Sequence, residues 1–178
     1  MLVVISGPPG AGKTTLAHEV ARAIGCPAVC RDEIKEGMAH ATPGFVPSAG
    51  DPLTMRTLAT FFDVIGLLIG RGTTVVAEAA FQDRVWRPRL TPLMSSADLR
   101  ILQCTVSAET AGARIIRRAT DNPRRQAHED GHASSDPDSW RRTHTTFDAV
   151  SLPVPTLTID TTDGYQPGLA EILIFLTS

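Results

Sequence analysis

The stretch MLVVISGPPGAGKTT packs the densest chemistry of this chain into fifteen residues. Its spacing Gly7-x-x-x-x-Gly12-Lys13-Thr14 fits G-x-x-x-x-G-K-[ST], a loop whose glycines let backbone N–H groups converge on an anion where a Cβ would intrude. The amides from Gly10 to Thr14, through Ala11, Gly12 and Lys13, together with the positive end of the following helix, cradle phosphate oxygens. Lys13 is expected to reach the β- and γ-phosphates of a nucleotide, and the Thr14 hydroxyl to ligate Mg²⁺. Gly7, Gly10, Ala11, Gly12, Lys13, Thr14 and Thr15 are therefore candidate nucleotide contacts, and Thr14 the candidate metal ligand.

A carboxylate facing that loop could accept the proton of an attacking hydroxyl. Asp32, in Arg31-Asp32-Glu33-Ile34-Lys35, is the candidate base, with N-capping of a helix Glu33–Met38 as its structural alternative. Glu33 is its rival. Lys35 stands one turn beyond Arg31 and is a candidate for holding acceptor or transferred phosphoryl. Glu78, at the end of an apolar run, is a candidate metal-shell or acceptor-binding residue.

Positive charge is concentrated later in the chain. Seven of fifteen arginines fall between Arg114 and Arg142, while Lys13 and Lys35 are the only lysines. Arg114 and Arg118 share a helical face and are candidate nucleotide contacts. The polar segment beyond them, approximately 120–138 and including Arg124 and Arg125, reads as a lid whose closure excludes water from a reacting phosphoryl group. His128 and His132 are four apart, but without an evident third ligand they read as hydrated lid residues.

Positioning these groups calls for alternating strands and helices. Leu2–Ile5 is a buried strand, followed by a helix through Leu16, Val20 and Ile24 that stops at Gly25. Pro27–Cys30 is a second strand, in line to deliver Asp32 to the ligand-binding edge of a parallel sheet. Residues 39–52 form a loop with Phe45 and Val46, a lid or acceptor wall. An amphipathic helix spans Leu53–Ile69. Thr73–Ala77 and Leu99–Val106 are the third and fourth strands, with an interrupted helix at Gln82–Ser95 between them. A helix at Ser139–Val150, a fifth strand at Thr156–Asp160 and a helix at Leu169–Leu176 complete an α/β pattern. The turn Thr161–Tyr165 is placed to pack against a nucleotide base.

Bulk properties set the frame. A length of 178 residues suits one domain, read over 1–178. No apolar run approaches the ~20 residues of a membrane span, and no basic leader precedes the first strand. A cytoplasmic protein without a membrane partner is expected. Cys26, Cys30 and Cys104 show no disulfide or metal pattern and read as buried free thiols. The net charge of −2 gives no global attraction to nucleic acid.

Gly7–Thr15, Arg31-Asp32, Val75–Glu78 and Arg114 with Arg118 together resemble the phosphate-loop kinases that include the kinase domain of polynucleotide kinase, zeta-toxin-like kinases and chloramphenicol phosphotransferase. Arg31-Asp32-x-x-Lys35 is similar to the R-D-x-x-R element of polynucleotide kinases, with lysine in the last place. The resemblance implies a three-layer α/β/α sandwich with a five-stranded parallel sheet ordered 2-3-1-4-5 and a lid. It also implies Asp32 as base, Lys13 and Arg118 as catalytic groups stabilising the transferring phosphoryl, and Thr14 on Mg²⁺.

The expected activity is ATP-dependent transfer of the γ-phosphoryl group to a hydroxyl of a small molecule, a metabolite or an antibiotic. A 5′-hydroxyl polynucleotide kinase is the first alternative, ranked second because Arg56 is the only arginine or lysine between Gly37 and Leu58. A nucleotide-regulated binding module without phosphotransfer is the other. No Asn-Lys-x-Asp base-reading motif supports a GTP switch.

Overall fold

The computed structural model describes residues 1–48, 50–121 and 137–178. Five strands, β1 (Leu2–Ser6), β2 (Ala28–Cys30), β3 (Val75–Glu78), β4 (Leu99–Thr105) and β5 (Thr156–Asp160), form one parallel sheet in the order β2-β3-β1-β4-β5. This is the expected 2-3-1-4-5 topology. The helices are α1 (Lys13–Ile24), α2 (Arg31–His40), α3 (Pro52–Gly70), α4 (Asp83–Leu90), α5 (Ala108–Asp121), α6 (Pro137–Thr145) and α7 (Leu169–Thr177), with a 3₁₀ turn at Thr91–Ser95.

The apolar runs become sheet because both faces of each central strand are covered. Alternate side chains of a strand point to opposite faces. In β1, Leu2 and Val4 pack with Phe61 and Ile65 of α3 and Trp86 and Leu90 of α4. Val3 and Ile5 pack on the other side with Leu16 and Val20 of α1 and Ile172 and Leu176 of α7. Every residue of β1 is buried. A doubly covered parallel strand has no polar face, which is why the run carries no alternation. The result is the three-layer α/β/α sandwich.

Several local expectations are corrected. Helix α2 begins at Arg31 directly after β2, with Cys30 in the extended N-cap position, so Asp32 is a first-turn residue and does not cap it. Carboxylates at Asp32 and Glu33 favour that position by facing the positive helix end. The loop after α2 starts only after His40, because the helix runs past Met38. Strand β3 starts at Val75 rather than Thr73, and α6 ends at Thr145 rather than Val150. Proline interrupts 82–95 less than expected: Pro88 sits within α4, and the chain tightens into the 3₁₀ turn at Thr91.

Helix α3 has the length and composition to cross a membrane, contrary to the expectation that no run approaches that size. In this fold one stripe of it faces the core, burying Leu53, Thr57, Phe61, Ile65 and Ile69. Cys30 and Cys104 are buried free thiols, whereas Cys26 is only half-buried. The lid expected over 120–138 lies almost wholly outside the described residues, as do Arg124, Arg125, His128 and His132.

Candidate functional site

The site lies beyond the carboxyl ends of β1, β3 and β2, where an open parallel sheet receives ligands. After Ser6 the chain turns through Gly7 and Gly10, with φ of 149° and 80°, into α1. A Cβ on Gly7 would stand 2.4 Å from the Cys104 carbonyl oxygen, and one on Gly10 would stand 2.7 Å from that of Ala111. Only glycine lets the loop lie this close to β4 and α5. Gly12, with φ of 67°, occupies the N-cap of α1, so the first-turn amides of Lys13, Thr14 and Thr15 start the helix at the loop.

Buried Lys13 and Glu78 and half-buried Thr14 form a compact group. The Lys13 ammonium donates to the Pro8 carbonyl at 2.9 Å and lies 4.0 Å from Glu78 Oε1. The Thr14 hydroxyl donates to Glu78 Oε2 at 3.0 Å. Burial raises the Glu78 carboxyl above its usual range. Lys13 and Thr14 oppose that rise, while the Asp32 and Glu33 charges add to it. Glu78 thus stands behind the threonine, a metal-shell position in the terms of its donor set. A threonine hydroxyl backed by a carboxylate is a hard-oxygen combination, and it fits Mg²⁺.

Two cavities flank the loop. One, of about 290 Å³, is lined by Gly10, Gly12, Thr15, Arg114, Arg117, Arg118, Thr161, Gly164 and Tyr165. The other, of about 440 Å³, is lined by Thr14, Thr15, His18, Glu19, Arg22, Asp32, Glu33, Glu36 and Arg118. Thr15 and Arg118 belong to both. The first cavity holds the turn that the sequence marked for the nucleotide base. Arg114 fixes that turn: its Nη2 donates to the Thr161 carbonyl at 2.6 Å and to that of Thr162 at 3.2 Å, and its Nη1 to the Gly10 carbonyl at 3.4 Å. Thr161 Oγ1 donates to the Ala11 carbonyl at 3.2 Å, tying the end of β5 to the phosphate loop.

Asp32 lines the second cavity, and Arg31 Nη1 donates to its Oδ1 at 2.9 Å. Lys35 is a correction. Its ammonium is buried and donates to Asp51 Oδ2 at 3.0 Å, away from the lining of this cavity. Asp51 caps α3 by accepting from Thr54 N at 2.7 Å, so Lys35 fastens the end of the 41–51 loop to α2. That loop lines neither cavity.

Sequence reasoning missed His18, Glu19, Arg22 and Glu36. The signal was the spacing of Thr14, His18 and Arg22, and of Thr15 and Glu19, which places them on one stripe of α1. It also missed His144, whose Nε2 donates to the Pro9 carbonyl at 2.7 Å and joins α6 to the loop.

Fold and loop together define a phosphate-loop protein with a parallel sheet ordered β2-β3-β1-β4-β5. More particularly, the chain belongs to the AAA domain family, whose signature matches residues 2–136. Uncharacterized proteins of Mycobacterium bovis and Mycobacterium tuberculosis are 26% identical over 131 residues, 68% of this chain and 26% of theirs. The chain thus matches about a quarter of the length of those curated relatives.

Among solved structures, a candidate kinase of Chloroflexus aurantiacus superposes with a TM-score of 0.80 at 22% identity, covering 99% of this chain and 95% of that one. A sugar kinase of Janibacter gives 0.66 at 20% identity, covering 99% and 94%. A chain of the Pnkp1/Rnl/Hen1 RNA repair complex gives 0.59 at 19% identity, covering 85% of this chain and 47% of that one. These likenesses establish the phosphate-loop kinase fold and agree with the resemblance drawn from the motifs.

Proposed function

We propose that this protein is an ATP-dependent kinase that moves the γ-phosphoryl group to a hydroxyl of a small molecule. One observation carries the reading: a cavity of about 290 Å³ on the phosphate loop and a second cavity holding Asp32 meet at Thr15 and Arg118. Two substrates placed on either side of that junction would share one phosphoryl group.

The mechanism follows from positions. The base packs beside Thr161–Tyr165, and the loop amides grip the phosphates. Mg²⁺, held by Thr14 with Glu78 behind it, would neutralise charge on the β- and γ-phosphates. Asp32 accepts the acceptor's hydroxyl proton as that oxygen bonds to the γ-phosphorus, the bond to the β-phosphate oxygen breaks, and ADP leaves. Lys13 and Arg118 stabilise the charge on the transferring group, the largest share of catalysis in such reactions. Arg31 orients the Asp32 carboxylate through their hydrogen bond.

The acceptor cavity favours a small molecule over a polynucleotide. Glu19, Asp32, Glu33 and Glu36 outnumber Arg22 and Arg118 in its lining, a poor surface for a polyanion. The sugar kinase among the structural relatives supports the same reading. Incubation with γ-labelled ATP and a metabolite extract tests it. A labelled, low-molecular-weight phosphate ester is expected; label appearing only in inorganic phosphate or only in oligonucleotide would overturn it.

A further inference from the structure

His18 of α1, Cys30 at the end of β2 and Glu33 of α2 bring an imidazole nitrogen, a thiol sulfur and a carboxylate oxygen within 4.8 Å of one another. His18 Nε2 lies 2.7 Å from Glu33 Oε1 and 3.9 Å from Cys30 Sγ. A tetrahedral zinc ion takes sulfur at ~2.3 Å and nitrogen or oxygen at ~2.0–2.2 Å, so its ligands stand roughly 3.3–3.7 Å apart. The His18–Glu33 pair is closer than that spacing by roughly 0.6 Å, the His18–Cys30 pair is slightly wider than it, and the Cys30 sulfur lies within 4.8 Å of the Glu33 oxygen. Glu33 and His18 are half-exposed, and a small side-chain rotation of either opens the space.

The geometry points to a binding site for a borderline-soft divalent ion, Zn²⁺ or its spectroscopic substitute Co²⁺, with His18, Cys30 and Glu33 as ligands and the fourth position open to the acceptor cavity. The donor set selects the metal. Sulfur and imidazole suit zinc and cobalt, whereas Mg²⁺ prefers oxygen donors, so the ion that serves a nucleotide does not compete here. The surroundings favour a dication. Glu78, Glu33 and Asp32 place negative charge around the Cys30 thiol. That same negative potential attracts a metal ion, which on binding expels the thiol proton to solvent.

His18 and Glu33 line the cavity that also holds Asp32, so an ion here would narrow the acceptor's room. The inference stands apart from the kinase reading, since metal binding needs no phosphotransfer. The test is a Co²⁺ titration of the nucleotide-free full chain in millimolar Mg²⁺, read by the near-ultraviolet thiolate-to-cobalt absorption. One cobalt per chain with that band is expected. Cys30→Ser should abolish the band, and His18→Asn, an exposed change that leaves the core untouched, should weaken binding at least about ten-fold, since even loss of an outer-shell partner costs ~10–100-fold. Absence of the band in the wild type, or a band of equal strength in Cys30→Ser or an equal affinity in His18→Asn, would overturn the assignment.

Discussion

The Thr14 hydroxyl donates to Glu78 Oε2 across 3.0 Å, joining the first turn of α1 to the end of β3 beneath the phosphate loop. The cost of that arrangement falls on Glu78, whose carboxyl is almost wholly buried and raised from its ordinary 4.5 first by desolvation. A carboxyl whose folded value is raised contributes stability below its unfolded value and loses it as pH rises through the folded one. Glu78→Gln should therefore match the wild-type Tm near pH 4 and exceed it once the pH has risen through the folded value. Its Mg²⁺-dependent nucleotide binding should weaken by about ten-fold, a stability gain at the expense of the site. Thermal melts across pH, with nucleotide titrations at varied Mg²⁺, check both halves.

Lys35 and Asp51 pair at 3.0 Å with both side chains buried. Burial alone would raise the Asp51 carboxyl, but hydrogen bonds from Lys35 and from Thr54 N hold it below its ordinary 3.8. Its stabilisation is present above that value and is lost as pH falls through the lower folded one. Asp51→Ala strands a buried ammonium and removes the α3 cap, at a cost of about 3 kcal/mol or more. Lys35→Met with Asp51→Leu should recover much of that loss. Phosphotransfer should survive in every variant that folds, measured against urea melts.

The fold was legible because β1 spells its double burial in a continuous apolar run and the glycine spacing announces a strand, loop and helix in that order. The sheet order came from resemblance, since composition does not rank strands. Lys13, Thr14, Glu78, Asp32 and Arg118 were visible as residue types at the carboxyl ends of strands or on one helix face. Lys35 misled because sequence proximity to Asp32 says nothing of where a long side chain ends. Its partner, Asp51, stands sixteen residues away and belongs to another helix. Arg114 was read as a nucleotide contact on charge alone, yet its guanidinium is committed to carbonyls that only the folded chain brings together.

Arg114 is accordingly expected to act on shape as much as on charge. Arg114→Ala would leave the Thr161 and Thr162 carbonyls without their guanidinium donor and release the base-side turn from Gly10. Hydrogen bonds from a charged donor contribute about 1.5–3 kcal/mol. A loss of about 2 kcal/mol in stability and a roughly ten-fold rise in the nucleotide Kd should appear together. Arg114→Lys should restore little of either, because an ammonium cannot span three carbonyls with a planar fork. Denaturant melts and nucleotide titrations on the same preparations separate this from a purely electrostatic role, which lysine would rescue.

Asp32 separates catalysis from binding. It lines the cavity that meets the nucleotide side at Thr15 and Arg118, whereas Lys13 sits within the phosphate loop itself. Asp32→Asn keeps the shape and the carbonyl that accepts from Arg31 Nη1, but an amide cannot take the acceptor's proton. General-base catalysis accounts for ~10²–10⁴-fold in rate, so kcat should fall by at least that lower figure while ATP affinity stays within a few-fold. Lys13→Ala should instead reduce nucleotide binding and turnover together, since its ammonium serves the phosphates both at rest and in transfer. Isothermal titration with ATP beside an initial-rate assay distinguishes the two patterns. Normal turnover in Asp32→Asn would remove the residue from the chemistry, and with it the reason for placing the acceptor in the carboxylate-lined cavity.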